Sequence, residues 1–212
     1  MIINDISISL QQGRAKDVRL LVAQALNENY SAQDILNNGL ISGMQIIGHK
    51  FKKNEVFVPE VLIAARAMNA GLEILRPLLV SHGIKPIGKA LVCTVAGDLH
   101  DIGKNLLKMM FEGQGIECLD LGVDVSSERI VEAVREHQPD LVCLSALLAT
   151  TMMEQKAVID ALVNANLRHQ VKVLVGGAPV NQAFADEIHA DGYAIDAATG
   201  AELARKLLLK RL

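Results

Sequence analysis

The sequence predicts an α/β protein in two parts: a helical bundle over residues 1–86, then a five-stranded, doubly wound parallel sheet over residues 87–212. Three observations carry this. Up to residue 86, apolar residues recur every three or four positions and no alternating run appears. Beyond it, five short apolar runs alternate with five amphipathic ones. The joining segments are short, which suits right-handed strand-helix-strand units with helices on both faces of the sheet. The flavodoxin-like form of this Rossmann-type arrangement has strand order 2-1-3-4-5 and takes ligands at the carboxyl ends of strands one and three.

The helical half reads in order. Val18, Leu21, Val22, Ala25 and Leu26 mark one face of a first helix ending near Asn29. Ser31, with Asp34 three residues on, signals the start of a second helix carrying Ile35, Leu36, Leu40, Met44 and Ile47. After the polar break Phe51–Glu55, Pro59 and Glu60 suit the first turn of a third helix, proline because it lacks an N–H and the acid because of the helix dipole. That helix carries Val61, Leu62, Ala65, Met68, Leu72 and Leu75, and is expected to bend or end by Pro77. Ser81–Pro86 is the expected linker.

The strands are expected at Ala90–Ala96, Ile116–Leu121, Asp140–Leu144, Val171–Val175 and Tyr193–Ile195. The first helix of this half follows Gly103, with Leu106, Leu107, Met109 and Met110 inward and Lys104 and Lys108 facing away. The others span Ser126–His137, Thr151–Ala165, Asn181–Ala190 and Thr199–Leu212, with Ser126 and Thr199 as N-caps.

Composition narrows the function. Half the chain is apolar, but aromatics are 3% and Trp is absent, so the cores must be aliphatic. With a net charge of −3 and no basic block or aromatic ladder, nucleic acid is not an expected partner. No apolar run reaches membrane-spanning length and no signal peptide opens the chain, which makes a cytoplasmic location the expectation. Cys93, Cys118 and Cys143 sit far apart in apolar runs and read as buried thiols.

The chemistry concentrates at Gly97-Asp98-Leu99-His100-Asp101-Ile102-Gly103, the loop between the first strand and its helix. Neutral imidazole is a good transition-metal ligand, and a carboxylate on its second N–H fixes the tautomer. Ser145–Thr151 after strand three and Gly176-Gly177 after strand four converge on the same mouth, where glycine lets a bulky ligand approach the backbone. Each piece also has a plain structural explanation. His100 could be a satisfied hydrogen-bonding group, Asp101 a helix cap, Ser145 a small strand-end residue and Gly176-Gly177 a turn. Rival chemistries fare worse. A phosphate-accepting receiver needs an aspartate where Ser145 stands, and a dinucleotide site needs G-x-G-x-x-G after strand one. A hydrolytic metal site ligated directly by Asp98, His100 and Asp101 lacks a further histidine pair.

Taken together, Asp98-x-His100-x-x-Gly103, Ser145-x-Leu147 and Gly176-Gly177 resemble the D-x-H-x-x-G, S-x-L, G-G signature of cobalamin-binding domains, including that of methionine synthase. The helical half adds Gly43-Met44, Gly48, Phe51, Phe57–Glu60, Ala64–Met68 and Leu75–Leu78, similar to the cap that precedes this domain in methyl-carrying corrinoid proteins. The likeness covers nearly the whole chain and points to the stand-alone corrinoid proteins of methanogens and acetogens. These serve methanol, methylamine, betaine or methoxy-aromatic methyltransferase systems.

The resemblance implies cobalamin or a related corrinoid, methylated on cobalt, with His100 as lower axial ligand in place of the displaced dimethylbenzimidazole base. Asp98 and Ser145 would form a proton relay behind His100. Gly97, Asp101, Ile102, Gly103, Leu147, Thr150, Gly176 and Gly177 would help hold the cofactor, with Ser145 and the glycine pair lining a channel for its nucleotide tail. Met44, Phe57 and Leu62 would cover the methyl face, and the cap would move about the Ser81–Pro86 linker. Ala149 departs from the threonine common in relatives, which puts one tail hydrogen bond in doubt. The implied partners are a substrate-specific corrinoid methyltransferase, a second methyltransferase delivering to a thiol or tetrahydropterin, and a reductive activase. The chain alone would not be catalytic. A radical-mutase cobalamin subunit and a cobalamin-sensing regulator share the signature, but the first generally lacks the cap and the second needs a DNA-binding segment.

Overall fold

A computed structural model describes residues 1–209, in two compact units. The first comprises Met1–Pro86 with Gly113–Gly115; the second takes in Ile87–Glu112 and the chain from Ile116 onward.

The first unit is all-helical: α1 (Ile2–Gln11), α2 (Ala15–Asn27), α3 (Ala32–Asp34), a π-helical segment (Ile35–Ile41), α4 (Ser42–Lys52) and α5 (Val58–Ser81). α2 buries Val18, Val22 and Ala25, as its periodicity predicts. Ser31 Oγ accepts from Asp34 N at 3.0 Å, the predicted cap. α1 was not anticipated; it buries Ile2, Ile6 and Leu10 at every fourth position. α5 does not end at Pro77, because the helix runs through to Ser81. Its buried stripe of Ala64, Met68, Gly71 and Leu75 continues to Leu79, and that packing outweighs the backbone bond proline removes. Past Ser81, Ile84 N donates to Leu79 O and Gly83 N to Val80 O, with Gly83 at φ +67°. This is the paired closure that left-handed glycine gives a helix end.

The second unit alternates strictly: β1 (Lys89–Val95), α6 (Ile102–Glu112), β2 (Glu117–Val125), α7 (Ser127–His137), β3 (Leu141–Ser145), α8 (Met152–Asn164), β4 (Lys172–Gly176), α9 (Gln182–Glu187), β5 (Gly192–Ala194) and α10 (Ala197–Leu209). The sheet is all-parallel in the order β2-β1-β3-β4-β5, as predicted. One core packs Leu91, Val142, Leu144 and Val173 of the strands against Ile130, Val134, Val158 and Leu162 of the helices.

Several local expectations change. β2 extends beyond Leu121 to Val125 because its register with β1 slips at Gly122, where φ is +90°. Ser126 does cap α7, accepting from Arg129 N, but Thr199 does not cap α10. Asp196 caps it instead, accepting from Thr199 N at 2.7 Å. The predicted extension of that helix to Leu212 falls partly on residues 210–212, outside the described residues. Lys104 faces inward, with 3% exposure, because Asp120 on β2 receives its ammonium on both carboxylate oxygens at 2.7 Å. Among the described residues, no helix is long and apolar enough to cross a membrane.

Candidate functional site

The site is built where β1 hands the chain to α6. Gly97 turns it at φ +75°, and Asp98 beyond it is fully buried. A buried carboxylate must be satisfied, and this one accepts four hydrogen bonds. His100 Nδ1 at 2.7 Å and His100 N at 3.1 Å donate to Oδ1. Leu147 N and Thr151 Oγ1, both at 2.7 Å, donate to Oδ2. Burial alone would raise the Asp98 carboxyl, but hydrogen bonds from Thr151, Leu147 and His100 outweigh it and hold the group well below the usual carboxylate range. An ionised carboxylate only accepts, so Nδ1 is the donor in this bond and Nε2 is left for another partner. The imidazole is half exposed.

Neighbouring strands pin this loop. Thr94 Oγ1 donates to His100 O at 2.8 Å. Asp124, in a left-handed conformation at the end of β2, accepts from Gly97 N at 2.7 Å and donates its own N–H to Asp98 O at 2.9 Å. The imidazole is therefore positioned before any ligand arrives.

Beside it opens a cavity of about 620 Å³, walled by the sheet on one side and by α6 and α10 on the other. At its mouth Ser145, Gly176 and Ala194 stand in one cross-strand row. A Cβ on Gly177, whose φ is +125°, would come within 1.8 Å of Ala146 O, so glycine is required there. Gln155 Nε2 ties the strand ends together, donating to Leu144 O and Gly176 O. Leu99, Ile102, Leu147 and Ile195 line the same cavity with much of their side chains exposed. Such a cluster on a folded surface marks a binding site.

Most sequence-predicted residues meet here. His100, Asp101, Ile102, Gly103, Ser145, Leu147, Gly176 and Gly177 all line the cavity, and Asp98 and Gly97 support it. Among the described residues no hydrogen bond joins Ser145 directly to Asp98, whose Oδ2 accepts from Leu147 N and Thr151 Oγ1. Ser145 still lies within β3, while the turn after the strand carries Thr151 back to the carboxylate. Asp101 Oδ2 accepts from the Asn105 side chain at 3.0 Å, a bond within the start of α6. Thr150 is exposed and does not line the cavity. In the first unit Met44 is buried, at 2% exposure, whereas Phe57 and Leu62 are exposed. Thr94, Asp124, Leu99 and Ile195 were missed, as was the bond from Thr151 to Asp98. Among the described residues, no three His, Cys, Asp or Glu side chains come together as a metal-ligating group.

A half-exposed imidazole beside a deep slot, with apolar side chains lining the same cavity, is the geometry of a ligand-binding site. The comparisons agree. The B12 binding domain family matches residues 88–204, and a second B12 binding domain family matches residues 2–76. A corrinoid protein of Desulfitobacterium hafniense is 40% identical over 212 residues, covering 99% of this chain and 98% of that one. Monomethylamine corrinoid protein 1 of Methanosarcina acetivorans is 41% identical, covering 89% of this chain and 88% of that one. Among solved structures, the methanol:cobalamin methyltransferase complex MtaBC of Methanosarcina barkeri matches with a TM-score of 0.87 at 29% identity, covering 98% of this chain and 80% of that one. The chain belongs to the cobalamin-binding corrinoid proteins of methyltransferase systems.

Proposed function

We propose that this chain carries a methyl group on a corrinoid whose cobalt is ligated from below by His100 Nε2. Residues 87–212 serve as the cofactor domain and residues 1–86 as its cap. The observation that carries this is the His100–Asp98 pair, in which Nδ1 is held by the carboxylate on a half-exposed ring beside the cavity. The bound corrinoid supplies a metal centre that accepts a methyl group from one partner and gives it up to another.

What the chain's own residues do follows from their bonds. Asp98 fixes the ring and its tautomer and adds electron density to Nε2, strengthening it as a ligand. Nε2 is the ring atom that would meet the metal, and the negative charge on Asp98 would support it there. The Thr151 and Leu147 donors keep that charge on Asp98. Leu99, Ile102 and Leu147 would exclude water from a bound corrinoid, and Ser145, Gly176 and Gly177 would leave room for its tail.

The partners follow from the role: a substrate-specific corrinoid methyltransferase, a second methyltransferase that delivers to a thiol or tetrahydropterin, and a reductive activase. The MtaBC structure is of such a pairing for methanol. Absorbance of the cobalamin-loaded protein tests the assignment. Cobalamin should bind with its own base displaced, and His100→Ala should change the spectrum of the methylated form. Intact binding with an unchanged spectrum rejects the ligand.

A further inference from the structure

The inner end of the slot beside His100 has a chemistry of its own. The sheet register places Val92, Cys143 and Leu174 side by side across β1, β3 and β4, one row deeper than Ser145 and Gly176. All three line the cavity and are almost fully buried. Leu107 of α6 and Gly200 of α10 face them from the other wall.

The strand backbones and the Lys104 ammonium that reach this end of the slot are already committed. β1, β3 and β4 each have a strand on both sides, so their backbones are spent on the sheet. Lys104 reaches the cavity, but its ammonium has three donors, and Asn105 Oδ1 and the two Asp120 oxygens take them at 2.8, 2.7 and 2.7 Å. Burial pushes the Cys143 thiol well above its ordinary value, leaving a neutral S–H that is a weak donor and a weak acceptor. A ligand group seated here meets apolar contact and almost no polar partner.

We propose that this row discriminates among corrinoids by their nucleotide base: it accepts an apolar aromatic base and disfavours a purine, with Cys143, at the row's centre, setting the preference. A purine brings an exocyclic amine and ring nitrogens that water satisfies in solution. Seated against Val92, Cys143 and Leu174, they lose those partners without replacement. A cresol or alkylated benzimidazole exposes mostly carbon to the row. The proposal rests on the reading that the tail of the cofactor enters this slot.

The test is titration of the full, cofactor-free chain with three corrinoids, followed by absorbance: one with a cresol base, one with adenine, and cobinamide, which lacks the nucleotide tail. Cresol cannot ligate cobalt and adenine does so weakly, so the cost of releasing the base from the metal does not decide the comparison. The cresol form is expected to bind on the order of tenfold more tightly than the adenine form. Affinities within about threefold of each other, under 1 kcal/mol, would overturn the selectivity. Cobinamide binding as tightly as the cresol form would instead defeat the underlying reading, because the tail would then be outside the slot. Cys143→Ser adds a stronger hydrogen-bonding group of similar size and should narrow the gap by improving the adenine form. An unchanged ratio in that variant overturns the role of Cys143, and the wild-type ratio stands as the test should the variant fail to fold.

Discussion

Thr151 Oγ1 donates a 2.7 Å hydrogen bond to Asp98 Oδ2, the carboxylate oxygen that does not hold the His100 ring. A residue at the start of α8 thus acts on the imidazole through one intermediary. It occupies the place that the motif, read from sequence, gives to Ser145.

Thr151→Val keeps the side-chain shape and removes that bond. It should cost about 1–2 kcal/mol of stability, read by thermal unfolding of the cofactor-free protein. In the cobalamin-loaded protein it should also weaken the spectral signature of histidine ligation. Thr151→Ser should restore both, and Ser145→Ala should leave the ligation signature nearly intact. Equal loss of that signature in Thr151→Val and Ser145→Ala would contradict the arrangement.

Gly177→Ala would set a Cβ 1.8 Å from Ala146 O at a backbone φ of +125°. Both the clash and the conformation oppose it, at a combined cost of about 3 kcal/mol or more. Denaturant unfolding should show that loss, and cobalamin uptake should fall with it. A variant as stable as wild type would mean that the β4 turn is shaped differently.

Lys104→Met should destabilise by about 3 kcal/mol, because it leaves Asp120 with the Gly122 N–H and, as counter-charge, Lys108 at 3.6 Å. Adding Asp120→Asn should recover much of that loss, since a neutral partner no longer needs a counter-charge. A double-mutant cycle by denaturant unfolding measures the coupling. Additive losses would show that the pair is not coupled.

Acid sensitivity has a definite sign. Burial alone would raise the Asp191 carboxyl, but Lys172, the Val173 amide and Arg168 outweigh it and lower it. A folded value depressed below the unfolded one, about 3.9, contributes stability that is full above that pH and is lost as pH falls through the folded value. Asp191→Asn should therefore be less stable than wild type at pH 7, by about 1–3 kcal/mol, and the gap should close towards pH 3. Unfolding midpoints across that range check it; a gap independent of pH would contradict the sign.

The sheet order and the caps at Ser31 and Ser126 were legible because each depends on periodicity or on residues near in sequence, and the meeting of His100 with Gly176-Gly177 follows from that sheet order. α1 was not, because Ser7 and Ser9 interrupt its apolar stripe and yet are buried. Lys104 looked like a solvent-facing lysine because its partner Asp120 lies on another element, and only the tertiary fold brings them together. Pro77 and the capping of α10 by Asp196 mark the same limit: packing and side-chain reach decide what local preference leaves open. Thr151 is the sharpest case. In a run of hydroxyls, nothing local distinguishes the one that reaches Asp98 from Thr150, which is exposed.

Electron paramagnetic resonance of the protein loaded with cobalt(II) corrinoid addresses the axial ligand most directly. If His100 Nε2 is the ligand, the cobalt signal carries a nitrogen triplet, which becomes a doublet when the protein's histidines are labelled with nitrogen-15 and vanishes in His100→Ala. A triplet that ignores labelling of the protein and persists without His100 would place the cofactor's own base on the metal and contradict the account.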